Sequence, residues 1–454
     1  MEYTKEQQQV IDLRNRNLLV SAAAGSGKTA VLVERIIAEI TDPEHPIDID
    51  RLVVVTFTKA AAAEMRERIA KAIEKVLETH PGDAHLRRQS ALVHNAKIST
   101  IHSFCQSIIR NYFYKVDLEP GFRVGDEREI KLLRQDVLEK LLEDLYTQGE
   151  EAFLRFVEAY GEDRSNEKLQ EMLLDVYDFA MSYPWPEEYF AQCKKVYAVQ
   201  TEEELLESPL LQEFVAYTRM QLEGLKELCE LTIADCQRPD GPEAYESLFQ
   251  QEFQMIKELL DCEGYVGMAS VCDKIKFDRL PSKASKNPNF DPERKDAAKK
   301  ARDTWKKELQ NIQKDYALSV QELHKDMQQA APMVDTLIDV ISEFSVRFAA
   351  EKRDRGILDF SDLEHQALAI LVDAKTKEPT EVAKEFQDFY EEIMVDEYQD
   401  SNYVQEAILT AVSRVHTGEN NLFMVGDVKQ SIYSFRMARP DLFMEKYRRY
   451  ARTD

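Results

Sequence analysis

The chain carries LLVSAAAGSGKTAVLVERI near its start, and EIMVDEYQDSNYVQ followed by LFMVGDVKQSIYSFR near its end. The first segment reads as a strand, a glycine-rich turn and a helix; the other two read as short, wholly apolar strands that each run into an acid. Apolar strands of this type are buried on both faces, which calls for a parallel sheet covered by helices. Ligands of open α/β sheets sit at the carboxyl ends of the strands, where both the loop and the acids emerge. The two ends of the chain are therefore expected to meet in one sheet.

The intervening sequence fits that arrangement. Residues 1–110 hold short β-rich runs at 18–21, 52–56 and 97–100, alternating with helical patterns such as 60–77, the signature of βαβ units. Residues 111–350 are charged and rich in Leu, Glu and Lys at helical spacing, for example over 127–146, and predict a mostly helical segment. SYPWPEEY and RLPSKASKNPNFDPER break it with Pro and Asn, so loops belong there. Beyond 350 the β character returns at 393–395 and 422–425. The expected fold class is α/β, with one parallel-sheet domain built from residues 1–110 and 351–454 and interrupted by a helical insertion over 111–350.

A chain of 454 residues, 44% hydrophobic and 31% charged, has room for two or three cores. No apolar run approaches the ~18 residues of a membrane span, and MEYTKEQQQVIDL lacks the features of a signal peptide. A cytoplasmic location without membrane contact is expected. The six cysteines include no C-x-x-C pair and read as reduced thiols. A net charge of −25 weighs only weakly against a polyanionic partner, because nucleic-acid affinity depends on local grooves.

The loop can be read atom by atom. Residues Ala22, Ala23, Ala24, Gly25, Ser26, Gly27, Lys28 and Thr29 form a phosphate loop whose glycines let successive N–H groups face inward at a helix N-terminus. Lys28 would reach the β- and γ-phosphates of ATP, and the Thr29 hydroxyl would ligate Mg2+. Ala22 stands where the general pattern has Gly. Asp396 would hold the magnesium, and Glu397 would orient and deprotonate the attacking water. Gln399 and Asp400 extend this acidic segment, and Gly426-Asp427, with Gln430 just beyond, ends the next strand.

Seven motifs in one order resemble the superfamily 1 DNA helicases of the UvrD and RecB type: YTKEQQQVI, the loop at 22–29, TFTKAAAAEMRERI, ISTIHSF, LDFSDL, DEYQD and GDVKQSIYSFR. The resemblance implies a RecA-like sheet domain with a helical insertion. It also implies that Gln7 and Arg35 read adenine and that Gln430 senses the γ-phosphate and links it to DNA. By the same resemblance Thr56, Phe57, Thr58, Thr100, His102 and Ser103 contact a single strand, with Phe57, Tyr433 and Phe435 packing on bases. Hydroxyls and N–H groups position phosphates and aromatic faces stack on any base, which suits a motor indifferent to sequence.

VSAAAGSGKTAVLVERI, TIHSFCQSIIRNYFYKVDLEPGFRVGDEREIKLLRQD and SIYSFRMARPDLF look like the AddA family of bacterial AddAB helicase-nucleases. That resemblance implies an N-terminal motor part of an enzyme acting 3′ to 5′ on single-stranded and duplex DNA during double-strand break repair, with an AddB-type partner in a heterodimer. It also implies a second RecA-like domain and a nuclease domain, whose motifs do not occur before Asp454. The chain is thus expected to be an N-terminal fragment that binds nucleotide better than it hydrolyses it. Lys283, Lys286, Lys295, Lys299, Lys300, Lys306 and Lys307 form a basic stretch that reads as a solvated face, or as a contact to incoming duplex.

Overall fold

The computed structural model describes residues 3–23, 25–161, 166–285, 290–430 and 437–450. The first strands and helices alternate: α1 (Lys5–Asp12), β1 (Leu18–Ser21), α2 (Lys28–Ile40), β2 (Leu52–Thr56), α3 (Lys59–Thr79), α4 (Ala84–Leu92), β3 (Lys97–Thr100) and α5 (Ile101–Tyr112). Two short strands, β4 (Arg123–Val124) and β5 (Ile357–Leu358), make a separate parallel pair. The end of the chain adds β6 (Glu392–Val395) and β7 (Leu422–Gly426) to the main sheet, whose order is β1-β7-β6-β2-β3 with every pairing parallel.

The late strands therefore lie between the early ones. This follows from composition: LVVVT, EIMV and LFMVG are buried at every position and occupy the centre, whereas LLVS and KIST keep partly exposed positions and form the edges. Alternation divides the central strands between two cores. Val54, Met394 and Phe423 pack with Leu32 and Ile36 of α2, Met65 and Ile69 of α3 and Leu86 of α4. Val53, Val55, Ile393, Val395 and Met424 pack on the other face, against Phe104 and Ile108 of α5 and against the helices Phe360–Leu371 and Tyr403–Val412. Each such side chain contributes about 1.5–3 kcal/mol by leaving water.

At the carboxyl edge the chain turns from strand to helix three times. Gly27 caps α2 in the left-handed conformation, Thr58 caps α3 through its hydroxyl and Thr100 caps α5 in the same way. These caps fix where each strand's last residues point.

The chain forms two compact units, Met1–Tyr189 with Asp339–Asp454, and Phe190–Ile338. The sheet belongs to the first, together with the helix α6 (Glu127–Gln148). The second is helical and has its own core of Leu222, Phe249, Ile256, Trp305 and Leu309. Its helix Pro292–Asp315 carries Lys295, Lys299, Lys300, Lys306 and Lys307 interleaved with Asp296, Asp303 and Glu308; Lys286 lies outside the described residues. Among the described residues no helix is long and apolar enough to cross a membrane.

Candidate functional site

The loop after β1 is held from two sides. The Ala22 N–H donates to the Gly426 carbonyl at 3.1 Å, joining the loop to the end of β7, and the Ser26 N–H donates to Ala23 at 3.2 Å. Gly25 and Gly27 take φ of 75° and 83°, values that a side chain would strain. Gln7 braces the turn from α1: its amide N–H donates to the Ser26 carbonyl at 3.0 Å, while its Oε1 accepts from the Thr4 N–H at 3.0 Å. Gly27 offers no side chain to cap α2. The first N–H groups of that helix, Thr29 in its opening turn included, are left to an anion.

Lys28 is 10% exposed, and its Nζ lies 3.5 Å from Glu397 Oε2 without a hydrogen-bond partner. A buried ammonium with unmade bonds fits a phosphate group. Glu397 has φ of 54°, an unusual left-handed value for a non-glycine residue, and opens the short turn Tyr398–Asp400. Its carboxylate accepts from Gln399 Nε2 at 2.8 Å. The Asp396 N–H still extends the sheet by donating to Val55 at 2.9 Å, so its carboxylate emerges at the strand end. Burial, and then the charge of Glu397, push the Asp396 pKa up to about 6. Gln430 donates through its side chain to Asp427, and this bond holds the Asp427 carboxyl below its ordinary pKa.

A cleft of ≈ 950 Å³ opens beside the acids, lined by Thr56, Phe57, Thr58, Thr100, His102, Ser103, Phe360, Asp396 and Glu397 among others. It brings together all six described residues expected to touch nucleic acid. Several hydroxyls there shape the backbone: Thr56 Oγ1 donates to the Thr58 carbonyl at 3.1 Å, and Thr100 Oγ1 meets Ser103 Oγ at 2.9 Å. His102 Nε2 lies 3.0 Å from Glu364 Oε1, and its ring packs 4.6 Å from that of Phe360. Glu364 is buried and also accepts from Asn402 at 3.2 Å and Gln405 at 2.7 Å. Burial acts to raise its pKa, but the hydrogen bond and charge of His102, with these donors, outweigh it and keep it low.

The adenine contact expected of Arg35 does not fit this arrangement. Its side chain is 0% exposed, pairs with Glu392 through Nε at 2.8 Å and Nη2 at 2.5 Å, and donates to the Val10 carbonyl at 2.6 Å. It joins α1, α2 and β6 beneath the site. Ala24, Tyr433 and Phe435 lie outside the described residues. Residues that the motifs did not assign a role include Gln399, Glu364 and Phe360. Phe360 is a 45% exposed aromatic at the cleft, and its place in LDFSDL was its signal.

The sequence pattern of the UvrD/REP helicase N-terminal domain matches residues 3–451. The chain belongs to the UvrD/REP helicase family. It is similar to AddA-type proteins, whose names describe one subunit of an ATP-dependent helicase/nuclease. It is 45% identical to that of Lachnoclostridium phytofermentans over 99% of this chain and 33% of that protein. It is 42% identical to that of Clostridium beijerinckii over 99% of this chain and 36% of that protein, and 43% identical to that of Geobacillus thermodenitrificans over 99% and 37%. The chain spans about a third of the length of these relatives.

Membership of the UvrD/REP family implies use of a nucleotide, usually with Mg2+. The donors here fit such an ion: a half-buried carboxylate at Asp396, whose pKa burial and Glu397 raise against the weaker pull of Lys28, next to the helix that begins with Lys28 and Thr29. Among the described residues no three His, Cys, Asp or Glu side chains cluster as a metal cage.

Proposed function

We propose that the chain is the ATP-binding motor part of a DNA translocase of the helicase-nuclease type. The loop over 22–29 would cradle the phosphates and Lys28 would neutralise their β/γ oxygens. Gln7, braced against Ser26, would present the rest of its amide to adenine. Thr29 and Asp396 would hold magnesium, which supplies charge neutralisation on the phosphates. Glu397 would take the proton of the attacking water at its carboxylate, and Gln430 would read the γ-phosphate.

The observation that carries this reading is that Asp396 and Glu397 line the same cleft as Phe57, His102 and Phe360. A change of state at the acids alters one wall of the space where a strand would lie, with aromatic faces for bases and N–H groups for phosphates. By the resemblance drawn from the motifs, the proposal extends to an enzyme that unwinds DNA 3′ to 5′ and degrades it at double-strand breaks, with an AddB-type partner in a heterodimer; the relatives' names support a helicase/nuclease of more than one subunit.

In the enzyme carrying this chain, Lys28→Ala should weaken ATP binding and abolish DNA-stimulated hydrolysis. Glu397→Gln should retain nucleotide and lose about 10²–10⁴-fold in kcat, the worth of a general base. Steady-state ATPase and equilibrium nucleotide binding measure both, and wild-type turnover in either variant refutes the roles.

A further inference from the structure

Gln399 is 1% exposed, and its amide is engaged at both ends. Nε2 donates to Glu397 Oε2 at 2.8 Å, and Oε1 accepts from the Asp427 N–H at 2.9 Å. The remaining N–H makes a longer contact of 3.4 Å to Asp400 Oδ2. The seat is tight: a Cβ on Gly426 would lie 2.3 Å from Gln399 Oε1 and 3.3 Å from its backbone nitrogen. Glycine at the end of β7 thus leaves room for the Gln399 amide. Asp427 is in turn the residue that Gln430 holds, through its side chain and through a backbone bond of 2.8 Å.

We propose that Gln399 is the positioning residue for Glu397, clamping its carboxylate to the segment that carries Gln430, so that water activation follows the state of that segment. This rests on the reading of Glu397 as the group that accepts the water's proton. Two features make the clamp necessary. The left-handed backbone of Glu397 is intrinsically unfavourable and has to be fixed by its surroundings. Its ion-pair partner, Lys28 at 3.5 Å, is also the group expected to turn toward phosphate, which would leave the Gln399 amide as the bond that keeps the carboxylate aimed. A primary amide donates to a carboxylate through its nitrogen and accepts from an N–H through its oxygen, so one side chain spans both partners. Asn is shorter by one methylene and Glu replaces the donor with a second negative charge.

The test compares Gln399→Met and Gln399→Glu with Glu397→Gln in the enzyme carrying this chain. Gln399→Met should lower kcat about 10- to 100-fold, as expected for a misaimed catalytic group, with KM for ATP and the affinity for a fluorescent ATP analogue within about twofold. Gln399→Glu keeps the size of the site but sets a second negative charge against Glu397, and should lower kcat further. Combined with Glu397→Gln, Gln399→Met should change the residual single-turnover rate by less than about twofold, because the group it positions is gone.

A wild-type kcat for Gln399→Met, or an equal fold-loss with and without the Glu397 carboxylate, overturns the proposal. Loss of nucleotide binding in both Gln399 variants also overturns it, since the residue would then maintain the fold. A Glu397→Gln enzyme that still turns over refutes the water-activation reading itself, whereas an inactive Glu397→Gln beside an unimpaired Gln399→Met refutes the clamp alone.

Discussion

Two guanidinium groups and two carboxylates meet around α2 and β6, with Arg35, Glu39 and Glu392 buried and Arg14 partly exposed. Arg35 lies over the Phe423 ring at 4.8 Å and pairs with Glu392, while Glu39 meets Arg14 at 3.1 Å and Arg35 at 3.6 Å. Glu39 Oε2 has no hydrogen-bond partner. Burial, and then the nearby charge of Glu392, raise the Glu39 pKa well above 4.5 despite both arginines. The folded state therefore holds a proton that the unfolded chain releases above about pH 4.5. The sign follows: this group's contribution to stability is fully present below the unfolded pKa and declines as pH rises toward the folded one. Glu39→Gln mimics the protonated form, and should match wild type near pH 4 and exceed it by a margin that grows as pH rises toward neutrality. Urea melts across that range measure the difference; a gap that closes with rising pH would mean that the cluster is held by the Glu39 charge.

At the scale of elements the site depends on where helices begin. Thr100 accepts from the Ser103 N–H at 3.3 Å, and this cap orients the start of α5, from which His102 reaches the cleft. Thr100→Ala should cost about 1 kcal/mol of stability by leaving that N–H unmet. Thr100→Ser keeps the hydroxyl and should restore both melting temperature and single-strand affinity, measured by calorimetry and fluorescence anisotropy. A weakened affinity in Thr100→Ser with stability intact would assign the threonine methyl to the nucleic acid itself. The helix start after the phosphate loop and the five strands of the main sheet were legible in the sequence because wholly apolar runs and a glycine-rich turn before a helix have few other uses, whereas the caps at Thr58 and Thr100 were read only as nucleic-acid contacts. Which helical residues face inward was less legible. In α2, Val31, Leu32, Val33, Arg35, Ile36, Ile37, Glu39 and Ile40 are all buried, so periodicity could not separate a ligand-facing arginine from a structural one. The partners of Gln399 and Glu364 are set by the approach of β7 and of the helix Tyr403–Val412, which local patterns do not encode.

For the whole molecule, helical spacing over 111–350 announced helices but not the core that each one joins. α6 belongs with the sheet-bearing unit, while Phe190–Ile338 gathers around Trp305. Each unit also holds one of the chain's two tryptophans, Trp185 in the first and Trp305 in the second. Trp305 Nε1 donates to Glu252 Oε2 at 2.8 Å, and Glu252 in turn pairs with Arg302 at 2.6 Å with both side chains buried. Removing the carboxylate leaves a buried guanidinium uncompensated, which typically costs about 3–5 kcal/mol. Separate cores predict that this loss stays in the second unit. Glu252→Leu should move the urea midpoint read by Trp305 fluorescence, in a Trp185→Phe background, to lower concentration. The midpoint read by Trp185, in a Trp305→Phe background, should move less than half as far. Equal shifts in the two readings would make the 454-residue chain a single cooperative unit, in which damage around Trp305 destabilises the nucleotide site as much as damage beside it.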